Sequence, residues 1–211
     1  WLSSWIGLEI NLLSIIPILK NPNNKYPSEA AIKYFIAQVM ASSLLLFSIV
    51  SFNCLKESSF QYLESYETTI SSTALLLKMG AAPFHSWFPE VLSGLNWSNS
   101  FIMLTWQKIA PMILLSYLIN SHILLFSVII ILSSMISGIL GLNQICMRKL
   151  LAYSSINHVS WMIAAMLNSM SIWLYYFLIY SFINLNVIIL FKKYNIFYLN
   201  QLTNIFNSSK K

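Results

Sequence analysis

Two lysines stand inside stretches that otherwise read as membrane-spanning helix. Lys78 lies in TALLLKMGAAPFHSWF (73–88) and Lys108 in FIMLTWQKIAPMILLSYLI (101–119). An ionisable side chain at membrane depth costs roughly 2.5–3.5 kcal/mol on insertion scales and usually marks an ion or proton pathway. Each lysine is followed by a proline, Pro83 or Pro111. A proline cannot donate to the carbonyl four residues back, and its ring clashes there. Pro83 therefore frees the carbonyl of Met79, Pro111 that of Gln107, and Gly80 loosens the turn between. Broken backbone at membrane depth is tolerated only where protein buries it or water reaches it. Both lysines are thus expected beside polar backbone able to hold water. Burial disfavours a charged amine and a nearby carboxylate favours it, so a lysine held between the two influences can load and unload a proton.

Composition fixes the class. The chain is 57% hydrophobic and 9% charged over 211 residues, with mean hydropathy +0.68, against about 25% charged in soluble domains. It reads as an all-α, polytopic transmembrane helix bundle. The net charge of +6 does not argue for nucleic acid. Lys20, Lys25, Arg148, Lys149, Lys192, Lys193, Lys210 and Lys211 lie at or beyond expected helix ends, where basic residues anchor spans against headgroups. Cys54 and Cys146 have no metal-ligand or redox spacing and read as inert.

A span needs about 20 apolar residues. Seven are expected within a single transmembrane domain over 1–211, at about 1–19, 30–52, 68–92, 98–119, 122–143, 148–168 and 171–191. A polar loop over 20–28 leads to Ser28-Glu29, a helix cap with an acid in the first turn. The segment 53–66 reads as a polar connection, and 192–211 as a basic loop or interfacial helix. The third span is expected to break near 78–84. The chain begins at Trp1 and runs straight into an apolar stretch without a charged leader and cleavage site, so a fragment of a longer chain is the expectation.

Further ionisable residues fall within the spans. Glu9, in WIGLEINLLSII, is a mid-span carboxylate that needs a partner, either in a proton path or in a structural ion pair. Lys33, in SEAAIKYFIAQ, lies a turn inside its helix, where a snorkelling lysine is the plain alternative. His85 follows Lys78 by two turns, a projection that the break makes unsafe. His158 sits mid-span in LLAYSSINHVSWM beside Ser154, Ser155 and Asn157, as a relay or as a satisfied packing residue. His122 reads as a helix-end residue, Glu90 as interfacial, and Trp87, Trp97, Trp161 and Trp173 as belt or packing residues.

The string LLLKMGAAPFHSWFPEVLSG (75–94), with TWQKIAP around Lys108, resembles the antiporter-like membrane subunits of mitochondrial NADH–ubiquinone oxidoreductase (complex I), in a short animal form and most of all its arthropod version. WIGLEINLLS, SEAAIKYF and LNQICMRKLLAYSSINHVSWM follow the same family in the same order, so the resemblance spans essentially the whole chain. It implies a multi-pass subunit of the mitochondrial inner membrane with other complex I membrane subunits and the bilayer as partners. It also implies a water-linked line of buried charges across the middle of the membrane. Carried over residue by residue, Glu9 is the family's glutamate, Lys33 the lysine that modulates it, Lys78 the lysine of the first broken helix and Lys108 the next central lysine, with His85 and His158 as candidate additions. Redox chemistry elsewhere in the complex then shifts the Glu9–Lys33 pairing, which alters the proton affinity of Lys78, and the proton moves on toward Lys108. The chain departs from the family at Ser160, where glycine is usual. Residues 171–211 also lack the second, proline-rich broken helix with its exit-side lysine, and the usual first helix has no match, so the chain looks like the middle of the subunit.

No Gly-rich dinucleotide fingerprint and no cysteine cluster occur. NADH, FMN, the iron–sulfur clusters and ubiquinone are therefore expected to be handled elsewhere in the complex, with no cofactor on this chain. The leading expectation is a proton-translocating subunit coupled to electron transfer from NADH to ubiquinone. The alternatives are a cation/proton antiporter subunit without redox coupling and a structural membrane module whose buried charges only pair.

Overall fold

The computed structural model of the chain describes residues 1–20, 25–55 and 61–202, without the side chains of 54–55 and 61–65. The helices are α1 (Leu2–Leu19), α2 (Lys25–Leu55), α3 (Gln61–Met79), α4 (Trp87–Gly94), α5 (Trp97–Leu104), α6 (Trp106–Ser116), α7 (Ile123–Leu142), α8 (Met147–Asn168) and α9 (Met170–Lys193). No strand forms among the described residues; Cys146 and Tyr198 make an isolated antiparallel bridge. Among the described residues, five helices (α1, α2 as far as Asn53, α7, α8 and α9) are long and apolar enough to cross a membrane. Two further stretches, α3–α4 and α5–α6, are divided.

The bundle is built with its greasy side out. On α9, Leu178, Ile179, Phe182 and Ile183 are exposed while Trp173, Tyr180, Asn184 and Ile188 are buried. On α7, Leu124, Ile131 and Met135 face outward while Ser133 and Ser137 are buried. Apolar residues outside and small or polar ones inside is the pattern of a helix bundle in lipid, where close backbone approach replaces the hydrophobic effect as the packing force. α7 lies along α8, α2 along α3 and α1, and α9 along α8. α4 is wedged against α2 and α8, α6 against α3, and α5 against α9. Gly94 lets α4 come this close to α2, since a Cβ there would stand 2.8 Å from the Ala30 Cβ and 2.8 Å from the Tyr26 carbonyl oxygen.

α2 starts earlier than the Ser28-Glu29 cap suggests. Pro27 falls in its first turn, where no backbone donor is needed, and the Ser28 hydroxyl donates to the Lys25 carbonyl (2.6 Å). The centre of the 20–28 loop, residues 56–60 of the polar connection and the tail from 203 lie outside the described residues. Before that point the chain after α9 folds back on the base of α8, with the Met147 N–H donating to the Phe197 carbonyl (3.0 Å) and the Leu199 N–H to that of Ile145 (3.1 Å).

The break after Lys78 has a defined geometry. Gly80 adopts φ +72, the Ala81 N–H donates to the Leu76 carbonyl (3.1 Å) and the Gly80 N–H to that of Leu77 (3.1 Å). This paired closure with a left-handed glycine is the Schellman helix end. The second break falls at Thr105 (φ −117, ψ −70), six positions before Pro111, which α6 accommodates.

Candidate functional site

Lys78 ends α3 and is buried, 5% exposed. Side chains from two neighbouring helices reach the carbonyls at this helix end. Gln38 Nε2, from α2, donates to the Lys78 carbonyl (3.1 Å), and Trp87 Nε1, from α4, to that of Leu77 (3.1 Å). The amine itself has no hydrogen-bond or ion-pair partner among the described residues. Glu9, on α1, is the carboxylate whose charge reaches it. Glu9 Oε1 is buried without a hydrogen bond among the described residues. No ion pair joins the two side chains among the described residues.

Glu9 and Lys33 are not brought together. Lys33 Nζ instead makes an ion pair with Glu90 Oε2 on α4 at 2.6 Å, with both side chains about half exposed. Helix geometry gives the reason. α1 and α2 run antiparallel, and Trp5 Nε1 donates to the Ser42 carbonyl (3.1 Å). This level matching puts Glu9 opposite Gln38, five residues from Lys33, or about 7 Å along the axis. Tyr34 and Gln38 turn their shared face inward, and both are buried. Lys33 looks outward toward α4.

A neutral polar cluster forms around the residue that precedes Lys108. Gln107 Oε1 accepts from Asn11 Nδ2 (3.0 Å) and from the Tyr34 hydroxyl (3.1 Å), tying α6 to α1 and α2. Lys108, the next residue, is 2% exposed. Its Nζ donates to the Ser155 carbonyl (3.3 Å) and the Tyr180 hydroxyl (3.3 Å). It lies 5.4 Å from the centre of the Phe88 ring and 5.2 Å from that of Tyr180, distances at which ring faces stabilise a cation. His158 joins this cluster, its ring 5.0 Å from that of Tyr180 and its Nδ1 2.8 Å from the Tyr176 hydroxyl. His85 does not join it. It stays in the connection between α3 and α4, with Nδ1 3.3 Å from the Pro83 carbonyl and its ring 6.5 Å from that of Tyr153. His122, expected at a helix end, precedes α7 and shares a 2.7 Å hydrogen bond with Thr68. No group of three His, Cys, Asp or Glu side chains able to hold a metal occurs among the described residues.

Gln38, Gln107, Asn11 and Tyr180 escape a reading based on charge alone. The available signal is the uncharged polar side chains themselves, set within otherwise apolar spans, with Tyr34 and Gln38 one turn apart.

Broken helices packed around a buried lysine pair, inside a bundle with apolar outer faces, define an antiporter-like, multi-pass membrane subunit. The chain belongs to the family described as NADH:quinone oxidoreductase/Mrp antiporter, TM, which matches residues 1–209. It is 47% identical over 206 residues to NADH-ubiquinone oxidoreductase chain 2 of Anopheles gambiae, covering 97% of this chain and 60% of the mosquito protein. It is 47% identical over 202 residues to the protein of that name from Locusta migratoria, covering 96% and 58%. The chain thus spans about 60% of the length of these relatives. Among solved structures, a chain of respiratory complex I from Thermus thermophilus with bound aureothin superposes at TM-score 0.80, with 24% identity over 89% of this chain and 45% of that one. A chain of the Mrp complex from Dietzia sp. does so at 0.68, with 12% identity over 77% and 34%. These two likenesses concern the fold.

Proposed function

We propose that the chain is part of a membrane-arm subunit of respiratory complex I in the mitochondrial inner membrane. In this reading it moves protons in step with electron transfer from NADH to ubiquinone, and NADH, FMN, the iron–sulfur clusters and the quinone are bound by other parts of the complex. The observation that carries the reading is the pair of buried amines, Lys78 and Lys108, each set at a helix break, with the Gln107–Asn11–Tyr34 cluster next to Lys108 in the chain. Glu9, Lys33, Lys78 and Lys108 are its working residues, with His158 beyond Lys108. His85 keeps the place of an outlying candidate.

The Lys33–Glu90 pair gives Lys33 a resting place away from Glu9. With Lys33 there, the charge of Glu9 is directed at Lys78 and favours its protonated form. Were Lys33 to leave Glu90 and approach Glu9, that support would be cancelled and Lys78 would release its proton toward Gln107 and Lys108. Charge coupling of this kind is strong because few dipoles screen it in the bundle interior.

The test is the number of protons moved per electron by the assembled complex in sealed vesicles. Proton movement that follows NADH oxidation and stops with it is expected. Proton movement driven by a sodium gradient without NADH oxidation would transfer the chain to the antiporter reading. Lys33→Ala is expected to lower the coupled rate by no more than a few-fold, because water screens an ion pair between two exposed side chains. A larger loss than that of Lys78→Met would make Lys33 the main carrier and Lys78 the residue that tunes it.

A further inference from the structure

Among the described residues, Lys108 is held in the bundle without a carboxylate partner. Its two polar partners are of different kinds. The Ser155 carbonyl, 3.3 Å away, can only accept, whereas the Tyr180 hydroxyl, also 3.3 Å away, can accept and donate. The hydroxyl has a second neighbour at the same distance, the Leu104 carbonyl, to which it donates at 3.3 Å. That carbonyl is available because of the break at Thr105. In an unbroken helix the Lys108 N–H would donate to the Leu104 carbonyl, four residues back. Here it donates to the Thr105 carbonyl (3.1 Å) instead. The helix break, the lysine and the phenol therefore form one arrangement.

We propose that Tyr180 is a positioning residue for Lys108, its hydroxyl hydrogen swinging between the Leu104 carbonyl and the Lys108 nitrogen. The proposal rests on the reading of Lys108 as a proton carrier. When Lys108 is an ammonium, Nζ donates to the Tyr180 oxygen and the phenol hydrogen points to Leu104. When Lys108 is neutral, its lone pair takes the phenol hydrogen and the Leu104 carbonyl gives it up. The hydrogen stays on the Tyr180 oxygen throughout, so Tyr180 carries no proton itself. It keeps the nitrogen hydrogen-bonded in both forms, where a buried group without a partner would be penalised in one of them. Tyr180 is 4% exposed, and its ring is packed by His158 and Phe177, 5.0 Å and 6.4 Å between ring centres. The ring is thereby fixed while the hydroxyl hydrogen remains free to turn.

The experiment compares Tyr180→Phe, Lys108→Met and the double variant in the full-length subunit of the assembled complex, reconstituted in vesicles. Tyr180→Phe keeps the ring and removes the hydroxyl. It is expected to assemble and pass electrons to quinone in uncoupled vesicles at the unmodified rate. Its proton pumping is expected to fall roughly tenfold, the scale of one hydrogen bond to a charged group, with an altered pH profile. The double variant should pump no worse than Lys108→Met, and Tyr180→Gln, which can donate and accept, should regain part of the rate. The proposal is overturned by unmodified pumping and pH profile in Tyr180→Phe while Lys108→Met is impaired. It is equally overturned by a Tyr180→Phe defect confined to assembly, or by a further loss in the double variant. Unmodified pumping in Lys108→Met removes the carrier reading of Lys108 and this proposal with it.

Discussion

Replacing Lys78 by methionine is expected to leave the complex assembled and to lower coupled quinone reduction roughly a hundredfold, the scale for removing a group that transfers protons. Methionine fits the site, since the side chain is buried and packed beside Leu75, Leu76 and Met79 in the core of the bundle. The change removes an amine that the charge of Glu9 reaches, while Glu9 Oε1 stays buried without a hydrogen bond among the described residues. The electrostatic link from α1 to the break in α3 is then lost. The check is proton output per electron in sealed vesicles, with subunit content measured in the same preparation. Normal output in an assembled Lys78→Met complex would remove Lys78 from the pathway.

Gly80→Val is expected to damage the subunit itself. A β-branched residue at φ +72 is strained whatever the space around it. The new Cβ would also meet the Phe88 Cβ at 3.1 Å and the Trp87 ring at 3.4 Å. Strain of this kind costs of order 1–3 kcal/mol. Displacing Trp87 would in addition break its indole hydrogen bond to the Leu77 carbonyl. Assembled complex should fall several-fold on native gels, and what does assemble should lose heat resistance. Normal assembly and thermal stability in this variant would mean that the helix end is more adaptable than its geometry implies.

The break in α3 was readable because its cause is local: Gly80 and Pro83 dictate it within a few bonds of Lys78. The break in the next span was harder to place. Pro111 pointed to that stretch, but the interruption lies at Thr105, where the Lys108 N–H chooses the nearer carbonyl. Outward-facing apolar residues and the class of the bundle followed from composition and span length alone. The pairings did not. Lys33 and Glu90 are 57 positions apart, and Lys108 and Tyr180 are 72 apart. Nothing local says which helix faces which, and a family resemblance directs attention to Glu9 instead of Glu90. Uncharged residues were hardest to find, because Gln38, Asn11 and Tyr180 acquire meaning only once Lys78, Gln107 and Lys108 stand beside them.

The capping of the break at Lys78 also has a mechanical side. Gaps in membrane helices are easily pictured as hinges, soft points about which two halves rock. At this break the loose ends are fastened from two directions, by an amide reaching from α2 and an indole reaching from α4. A bend at this place would have to rupture both bonds, so the segment should behave as a stiff elbow. A push delivered to α2 would then arrive at α3 and α4 as a displacement of the whole joint. The parts left to move independently are side chains and whatever water lies among them, and these give way far faster than backbone.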